Sequence, residues 1–382
     1  MSRFKQTSDS DAHFMRLALR LARRAYGHTS PNPMVGAVLV RNGRIIGQGW
    51  HQRAGGAHAE VEALRDAERR GQSPGGAILY VTLEPCSTQG HTPPCTEAIK
   101  AAGIRRVVVG ATDPNPRHAG RAYRILRRAG IEVVQGVLAN EATQLNEAFN
   151  HWIVHRTPFV TVKAAMTLDG KIATASGESK WITGEKARAH AMKLRAGADA
   201  VLVGINTVLA DDPALTRRSV SGRIQADGGS PGLRRIVLDA MARTPLTAKI
   251  VNDACAGLTT IVVARSAPHR RTSALWRKVR IRFASSRTGK IDLRELLKQL
   301  GREKVTSLLV EGGGEVNASF LLGGLAQRVV FYYAPKILGG RNSRKAVAGD
   351  GAKRLDEILQ LDNIEWRRLG PDLMLTARVG PR

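Results

Sequence analysis

The stretch His58-Ala59-Glu60, followed by Leu83-Glu84-Pro85-Cys86 and then Pro94-Cys95, decides the fold of the first part of this chain. His58 opens an amphipathic helix expected over 58–70. Pro85-Cys86 closes a strand expected over 77–83, and Cys95 opens a helix over 95–102. Two thiolates and one imidazole can hold Zn²⁺ tetrahedrally and leave the fourth position to water. The metal lowers the pKa of that water toward neutrality. Glu60 stands two residues beyond His58, near enough to carry a proton without ligating the metal. Taken singly, each of these residues reads as an ordinary core or surface position. Their joint spacing, with the prolines beside both cysteines, is what points to a metal.

Working outward, apolar residues recur at helical spacing between His13 and Tyr26 (Phe14, Leu17, Ala18, Leu21, Ala22, Ala25), which predicts a helix that Pro31-Asn32-Pro33 ends. Val35 to Val40 reads as a strand, Arg41-Asn42-Gly43-Arg44 as a hairpin turn and Ile45 to Gly49 as the returning strand. Arg106 to Gly110 is a further strand. Such alternation gives a sheet covered by helices on both faces.

A junction is expected within 150–158, and a second α/β domain follows. Its strands are read at 159–163, 200–204, 235–239, 261–264, 307–310 and 329–333, with helices over 185–196 and 316–322. Between the last of these elements, Glu311-Gly312-Gly313-Gly314 forms a Gly-rich turn from strand to helix, where backbone N–H groups receive anions well. Arg217 to Gly232 is polar and Gly/Ser-rich and is expected to be a mobile loop.

The formal charge is +27, from 59 Lys/Arg against 32 Asp/Glu. Residues 1–150 hold 20 basic against 12 acidic side chains, whereas 151–382 hold 39 against 20. The excess therefore lies away from the metal-binding pattern, scattered in short clusters such as Arg277-Lys278-Val279-Arg280. With aromatic content at 4% there is no interleaving of rings and cations, so nucleic acid is not the expected partner. No apolar run approaches the ~18 residues that span a bilayer, and the N-terminus lacks a signal-peptide core, so a cytoplasmic protein without membrane contact is expected. Three cysteines make no even disulfide framework, and Cys255 reads as a small buried hydrophobe.

The order His-x-Glu, then Pro-Cys, then Cys resembles the zinc deaminases, although eight residues separate Cys86 from Cys95 where that pattern has two. The longer gap fits a particular family. Val81-Thr82-Leu83-Glu84-Pro85-Cys86-Ser87 followed by Gly90-His91-Thr92-Pro93-Pro94-Cys95 resembles the bifunctional riboflavin-biosynthesis deaminase/reductases. So do Pro31-Asn32-Pro33, Gly49-Trp50-His51 and Asp113-Pro114-Asn115-Pro116. In the second half KAAMTLDGK (163–171), ASGESKWIT (175–183), TVLADDPAL (207–215), VEGGG (310–314) and APKILG (334–339) agree with the same family. An RNA-editing deaminase of the tRNA type would share the zinc pattern but not these reductase segments.

The resemblance implies a cytidine-deaminase-like α/β/α domain over 1–149 and a dihydrofolate-reductase-like α/β domain over 150–382. It implies hydrolytic deamination of 2,5-diamino-6-(5-phosphoribosylamino)pyrimidin-4-one, followed by reduction of the phosphoribosyl group to phosphoribityl with NADPH. Carried over by position, His58, Cys86 and Cys95 bind zinc, Glu60 is the proton shuttle, and Asn32 and His51 face the pyrimidine. Ala165, Trp181, Thr207 and Asp211 contact NADP, whose phosphates lie over Gly313, Gly314, Glu315, Val316, Asn317, Ala318 and Ser319. Ser179, Arg195, Leu215, Arg218 and Glu311 contact the reductase substrate, and Lys163 stands with Glu311 near the reduced carbon. A homo-oligomer, dimer or tetramer, is implied as well. The chain departs from the family at Thr88 and His91 between the cysteines, at His118, and at Ala240, where a hydroxyl side chain can occur.

Overall fold

Asn42 (φ 50°) and Gly43 (φ 74°) adopt left-handed backbone, the turn that joins β1 (Gly36–Arg41) to β2 (Arg44–Trp50) as an antiparallel hairpin. In the computed structural model, which describes residues 9–89, 93–217, 232–287 and 289–380, this hairpin begins the sheet of the first of two compact units. The first runs to Arg156 and the second starts at Thr157.

In the first unit β1 pairs with β3 (Ile78–Leu83), which continues in parallel through β4 (Arg106–Ala111) to β5 (Glu132–Gln135). Alternate side chains of these strands feed two cores. On one face Ala37, Leu39, Leu79, Val81 and Val107 meet Ala63 and Ala67 of α2 (Ala59–Arg69) and Ile99 of α3 (Cys95–Ala101), together with Leu126 of α4 (Arg121–Arg128). On the other, Val38, Val40, Tyr80 and Val108 meet Phe14, Met15 and Ala18 of α1 (Asp9–Arg23) and Ala142 of α5 (Ala139–Leu145). This is the expected α/β/α sandwich. The unit closes with α6 (Glu147–His155), an unbroken helix, so the division falls after it at Arg156 rather than between 149 and 150.

Close approach of α2 to β2 depends on glycine. A Cβ at Gly49 would stand 2.5 Å from the Ala63 nitrogen and 2.7 Å from the Ala59 oxygen, and one at Gly47 would stand 2.3 Å from the Ala63 oxygen. Both obstacles are helix backbone, so the helix itself would have to move. Because α2 carries His58 at its N-cap and Glu60 in its first turn, the move reaches the metal-binding residues. Gly49→Ala is expected to cost about 1–3 kcal/mol of stability and to lower zinc content, read by thermal unfolding and metal analysis. A variant that keeps full zinc content would show that α2 has room to shift.

The second unit is built on a nine-stranded sheet. Its strands in chain order are β6 (Phe159–Thr167), the short β7 (Lys171–Ala173) outside the main sheet, β8 (Ala200–Gly204), β9 (Arg234–Leu238), β10 (Thr259–Ala264) and β11 (Arg280–Ala284). A small hairpin, β12 (Ser286–Arg287) with β13 (Lys290–Ile291), precedes β14 (Ser307–Val310) and β15 (Arg328–Ala334). Then come β16 (Arg344–Lys345), which pairs with β7, and the terminal hairpin of β17 (Leu361–Leu369) and β18 (Asp372–Val379). The sheet order is β11-β10-β9-β8-β14-β6-β15-β18-β17, parallel from β11 to β15 and antiparallel across the last two pairings. Helices α7 (Glu185–Ala196), α8 (Ile205–Asp211), α9 (Lys249–Asn252), α10 (His269–Trp276), α11 (Leu293–Arg302) and α12 (Gly314–Leu321) complete the unit. One core lies under α11 and α12, a second under α9 and α10, and a third where α7 covers β15 and β18. No helix among the described residues is long and apolar enough to cross a membrane.

Candidate active sites

His58 is the N-cap of α2, Cys95 begins α3, and Cys86 follows β3 by three residues. Their ligand atoms lie within 4.8 Å of one another. The His58 Nδ1 is 3.2 Å from the Cys95 Sγ and 3.4 Å from the Cys86 Sγ. Around one tetrahedral zinc, nitrogen and sulfur ligands stand about 3.5 Å apart, so the donor set fits that ion. Both cysteines crowd onto a shared proton. A hydrogen bond from Cys95 pulls the Cys86 thiol down to about 4, and the same bond pushes Cys95 up. A cation bound there removes the conflict, since both sulfurs then serve as thiolates.

Glu60 is 3% exposed beside this cluster. Burial and the Cys86 sulfur push its carboxyl up, while His58 pulls it down. Behind the cluster the His51 ring meets His58 edge to face at 5.5 Å. His51 Nδ1–H donates to the Ala57 carbonyl (3.0 Å), leaving Nε2 to accept from the Asn32 Nδ2 (3.2 Å). That assignment orients the amide so that its carbonyl remains available to a ligand. Burial lowers the His51 pKa, which keeps the ring in this neutral form. Two residues on, Met34 is held by a residue the sequence reading missed. Asn146 accepts from the Met34 N–H and donates to the Met34 carbonyl, both at 2.8 Å. Thr88 lies within the described residues and His91 outside them.

In the second unit, a cleft of about 1350 Å³ opens along the C-terminal ends of β8 and β14. It gathers the expected Lys163, Ala165, Ser179, Trp181, Arg195 and Thr207. Asp211, Leu215, Glu311, Gly313, Gly314, Glu315 and Val316 line it too. Trp181 (φ 26°) and Leu215 (φ 50°) hold left-handed backbone although neither is glycine, strain of the kind that collects at binding sites. The Arg188 guanidinium stacks 4.6 Å over the Trp181 ring, and Ser179 donates to Asp211 at 2.9 Å.

Three expected phosphate contacts lie elsewhere. The Asn317 N–H already donates to the Gly313 carbonyl, and its side chain, fully buried, donates to the Ala346 carbonyl at 2.8 Å. Ala318 is buried, and the Ser319 hydroxyl donates to Glu315 O on its own helix at 2.8 Å. The helix is already hydrogen-bonded to itself beyond Val316, and of residues 313–319 only 313–316 line the cleft. Arg218 lies outside the described residues, as does most of the 217–232 loop.

Charge is concentrated on Glu311. Arg195 clamps it through Nε (3.0 Å) and Nη2 (2.7 Å), and the Lys163 Nζ lies 3.9 Å away. Burial alone would push the Glu311 carboxyl up, but the two cations overcome it and hold it at about 2. Asp169 accepts from the Leu338 and Gly339 N–H groups (3.1 and 2.8 Å), so it ties the 167–171 turn to the 334–339 segment. Ala240 offers no side-chain hydrogen bond, and its carbonyl accepts from Ala264 N–H at 3.0 Å.

A thiolate-imidazole metal site with a buried carboxylate, followed by a separate unit with a nucleotide-sized cleft, defines a metal-dependent deaminase joined to a reductase. Residues 8–111 match the cytidine and deoxycytidylate deaminase zinc-binding region, and residues 158–375 match the RibD C-terminal domain. The chain is 41% identical over 372 residues to the riboflavin biosynthesis protein RibD of Actinobacillus pleuropneumoniae (97% of this chain, 96% of that one), and 42% identical over 371 residues to that of Escherichia coli K12 (96% and 98%). Among solved structures, Acinetobacter baumannii RibD is 36% identical with a TM-score of 0.84 (97% and 99%). A diaminohydroxyphosphoribosylaminopyrimidine deaminase/5-amino-6-(5-phosphoribosylamino)uracil reductase from Thermotoga maritima is 34% identical with a TM-score of 0.80 (97% and 99%). The chain belongs to the RibD family of bifunctional riboflavin-biosynthesis enzymes, with a zinc-binding deaminase domain and a reductase domain.

Proposed function

We propose that the first unit deaminates 2,5-diamino-6-(5-phosphoribosylamino)pyrimidin-4-one, and that the second reduces the phosphoribosyl chain of the resulting uracil to phosphoribityl with NADPH. The observation that carries this reading is Glu60, buried beside His58, Cys86 and Cys95. Zinc held by those three residues would supply a water acidified to near neutrality. Glu60 would take a proton from the attacking water as its oxygen bonds to the ring carbon, and would pass it to the exocyclic nitrogen, which leaves as ammonia when its bond to that carbon breaks. Asn32, held by His51 two residues before the Asn146 clamp on Met34, hydrogen-bonds the pyrimidine edge.

In the second unit the N–H groups of Gly313–Val316 would hold the cofactor phosphates at the start of α12. Ala165, Trp181, Thr207 and Asp211 line the cofactor's path, and Ser179, Arg195, Leu215 and Glu311 line the substrate's. NADPH supplies the hydride. The ionised Glu311 is an acceptor for substrate hydroxyls, which leaves Lys163 as the group able to donate the accompanying proton. Arg218 is proposed as a further substrate contact on position alone.

The test follows ammonia release and NADPH absorbance together on zinc-loaded enzyme. Ammonia release followed by NADPH oxidation supports both assignments. Ammonia without oxidation leaves the deaminase reading standing and overturns the reductase one. A strong chelator is expected to end ammonia release while NADPH oxidation on the deaminated substrate continues. Loss of both activities on chelation would assign the metal a role in the second unit.

A further inference from the structure

Glu84 is a carboxylate 5% exposed, two residues before Cys86. Its Oε2 accepts the N–H groups of Asp113 (3.2 Å) and Gly120 (2.9 Å), and its Oε1 accepts that of Ala122 (3.0 Å). The parallel ladder of β3 and β4 continues past their ends, with the Glu84 N–H donating to the Ala111 carbonyl at 2.9 Å. Segments 84–86 and 112–122 therefore emerge side by side at the C-terminal edge of the sheet, where α/β sheets place their ligands. The first carries Cys86. The second carries Asp113 near its start, partly buried and within electrostatic reach of the Cys86 sulfur.

The second segment is also closed on itself. The Asn115 N–H donates to the Asp113 Oδ1 (2.8 Å), and the His118 and Ala119 N–H groups donate to the Asn115 carbonyl (2.9 Å each). A segment folded in this way moves as one body, and Glu84 ties it at both ends. Gly120 holds φ 72° at the second attachment, a backbone conformation that glycine adopts without strain.

We propose that Glu84 is a positioning residue of the deaminase, holding segment 113–122 as a wall of the pyrimidine site, so that it governs substrate binding rather than metal binding or the chemical step. The inference rests on the deaminase reading above. A carboxylate suits the task because it presents acceptors to N–H groups on both oxygens. The amide of glutamine presents one, and its NH₂ must face at least one of these N–H groups directly.

With Glu84→Gln, zinc content and kcat per bound zinc are expected to hold, while KM for the diaminopyrimidine rises roughly 10-fold or more. NADPH oxidation on the deaminated substrate serves as a control in the same chain and is expected not to change. Gly120→Ala strains the same attachment without touching the carboxylate and is expected to raise KM as well. The double variant then raises it by less than the product of the two, since both act through one segment. A kcat loss at unchanged KM, or loss of zinc in Glu84→Gln, overturns the proposal, because a merely structural role reduces the amount of active enzyme without changing KM. Independent, multiplicative effects of the two variants overturn it too. If the unsubstituted enzyme releases no ammonia from this substrate, the deaminase reading itself falls, so the two failures are distinguishable.

Discussion

Glu60→Gln is expected to keep its zinc and to lose deamination by at least about 10³-fold, within the range that positioned acid–base groups supply. The ligand atoms of His58, Cys86 and Cys95 are unchanged by the substitution, and glutamine has the shape of the side chain it replaces. Burial already works against the charged form of Glu60, so a neutral amide at this 3% exposed position adds no burial cost. What the amide cannot do is accept a proton from water and release it to the leaving nitrogen. Metal analysis and ammonia release, with NADPH oxidation on the deaminated substrate as the control, measure the three quantities on one sample. Loss of zinc would make Glu60 part of the metal site, and retention of more than a tenth of the activity would give the proton transfer to another group.

The deaminase half was legible because its chemistry is local. Each zinc-pattern residue sits at the end of a short element whose periodicity is plain: α2 after His58, β3 before Cys86, α3 from Cys95. The strands read most accurately, β8 and β14, are continuous apolar runs of a parallel sheet buried on both faces. The terminal hairpin went unread for the opposite reason. β17 is an edge strand exposed along nearly its whole length, with a bulge between Asp362 and Glu365, so no two-residue alternation of apolar side chains marks it. Asn146 and Glu84 escaped because their partners are backbone groups far along the chain, and a side chain that holds backbone leaves no trace in residue type. The contrast extends to the reductase. There most of the residues that the family resemblance supplied line the cleft, but only the three-dimensional path of α12 separates Gly313–Val316, which face the cleft, from Asn317, Ala318 and Ser319, which do not.

The Arg195–Glu311 pair is where the second unit has most to lose. Both side chains are nearly buried, at 12% and 10% exposure, and the clamp is bidentate. Removing one partner of a buried pair leaves the other uncompensated, which costs about 3–5 kcal/mol. Arg195→Met keeps much of the side-chain volume and is expected to destabilise the second unit by that amount. It should lower reductase kcat/KM by at least about 10²-fold, and leave zinc-dependent ammonia release in place. The pH dependence separates charge from packing. In the unsubstituted enzyme the Glu311 value of about 2 lies below its unfolded value of about 4.3, so its stabilising contribution is complete above the unfolded value and is lost as pH falls toward 2. In Arg195→Met only Lys163, 3.9 Å away, opposes burial. The Glu311 carboxyl then rises, and once its folded value exceeds the unfolded one the sign reverses, so that the variant gains relative stability as pH falls through the folded value. Unfolding of the variant and its parent at a series of pH values between 3 and 8 tests this. A stability gap that narrows toward acid is the expected result. A gap independent of pH would show that Lys163 alone suffices to keep Glu311 ionised and that Arg195 matters through packing.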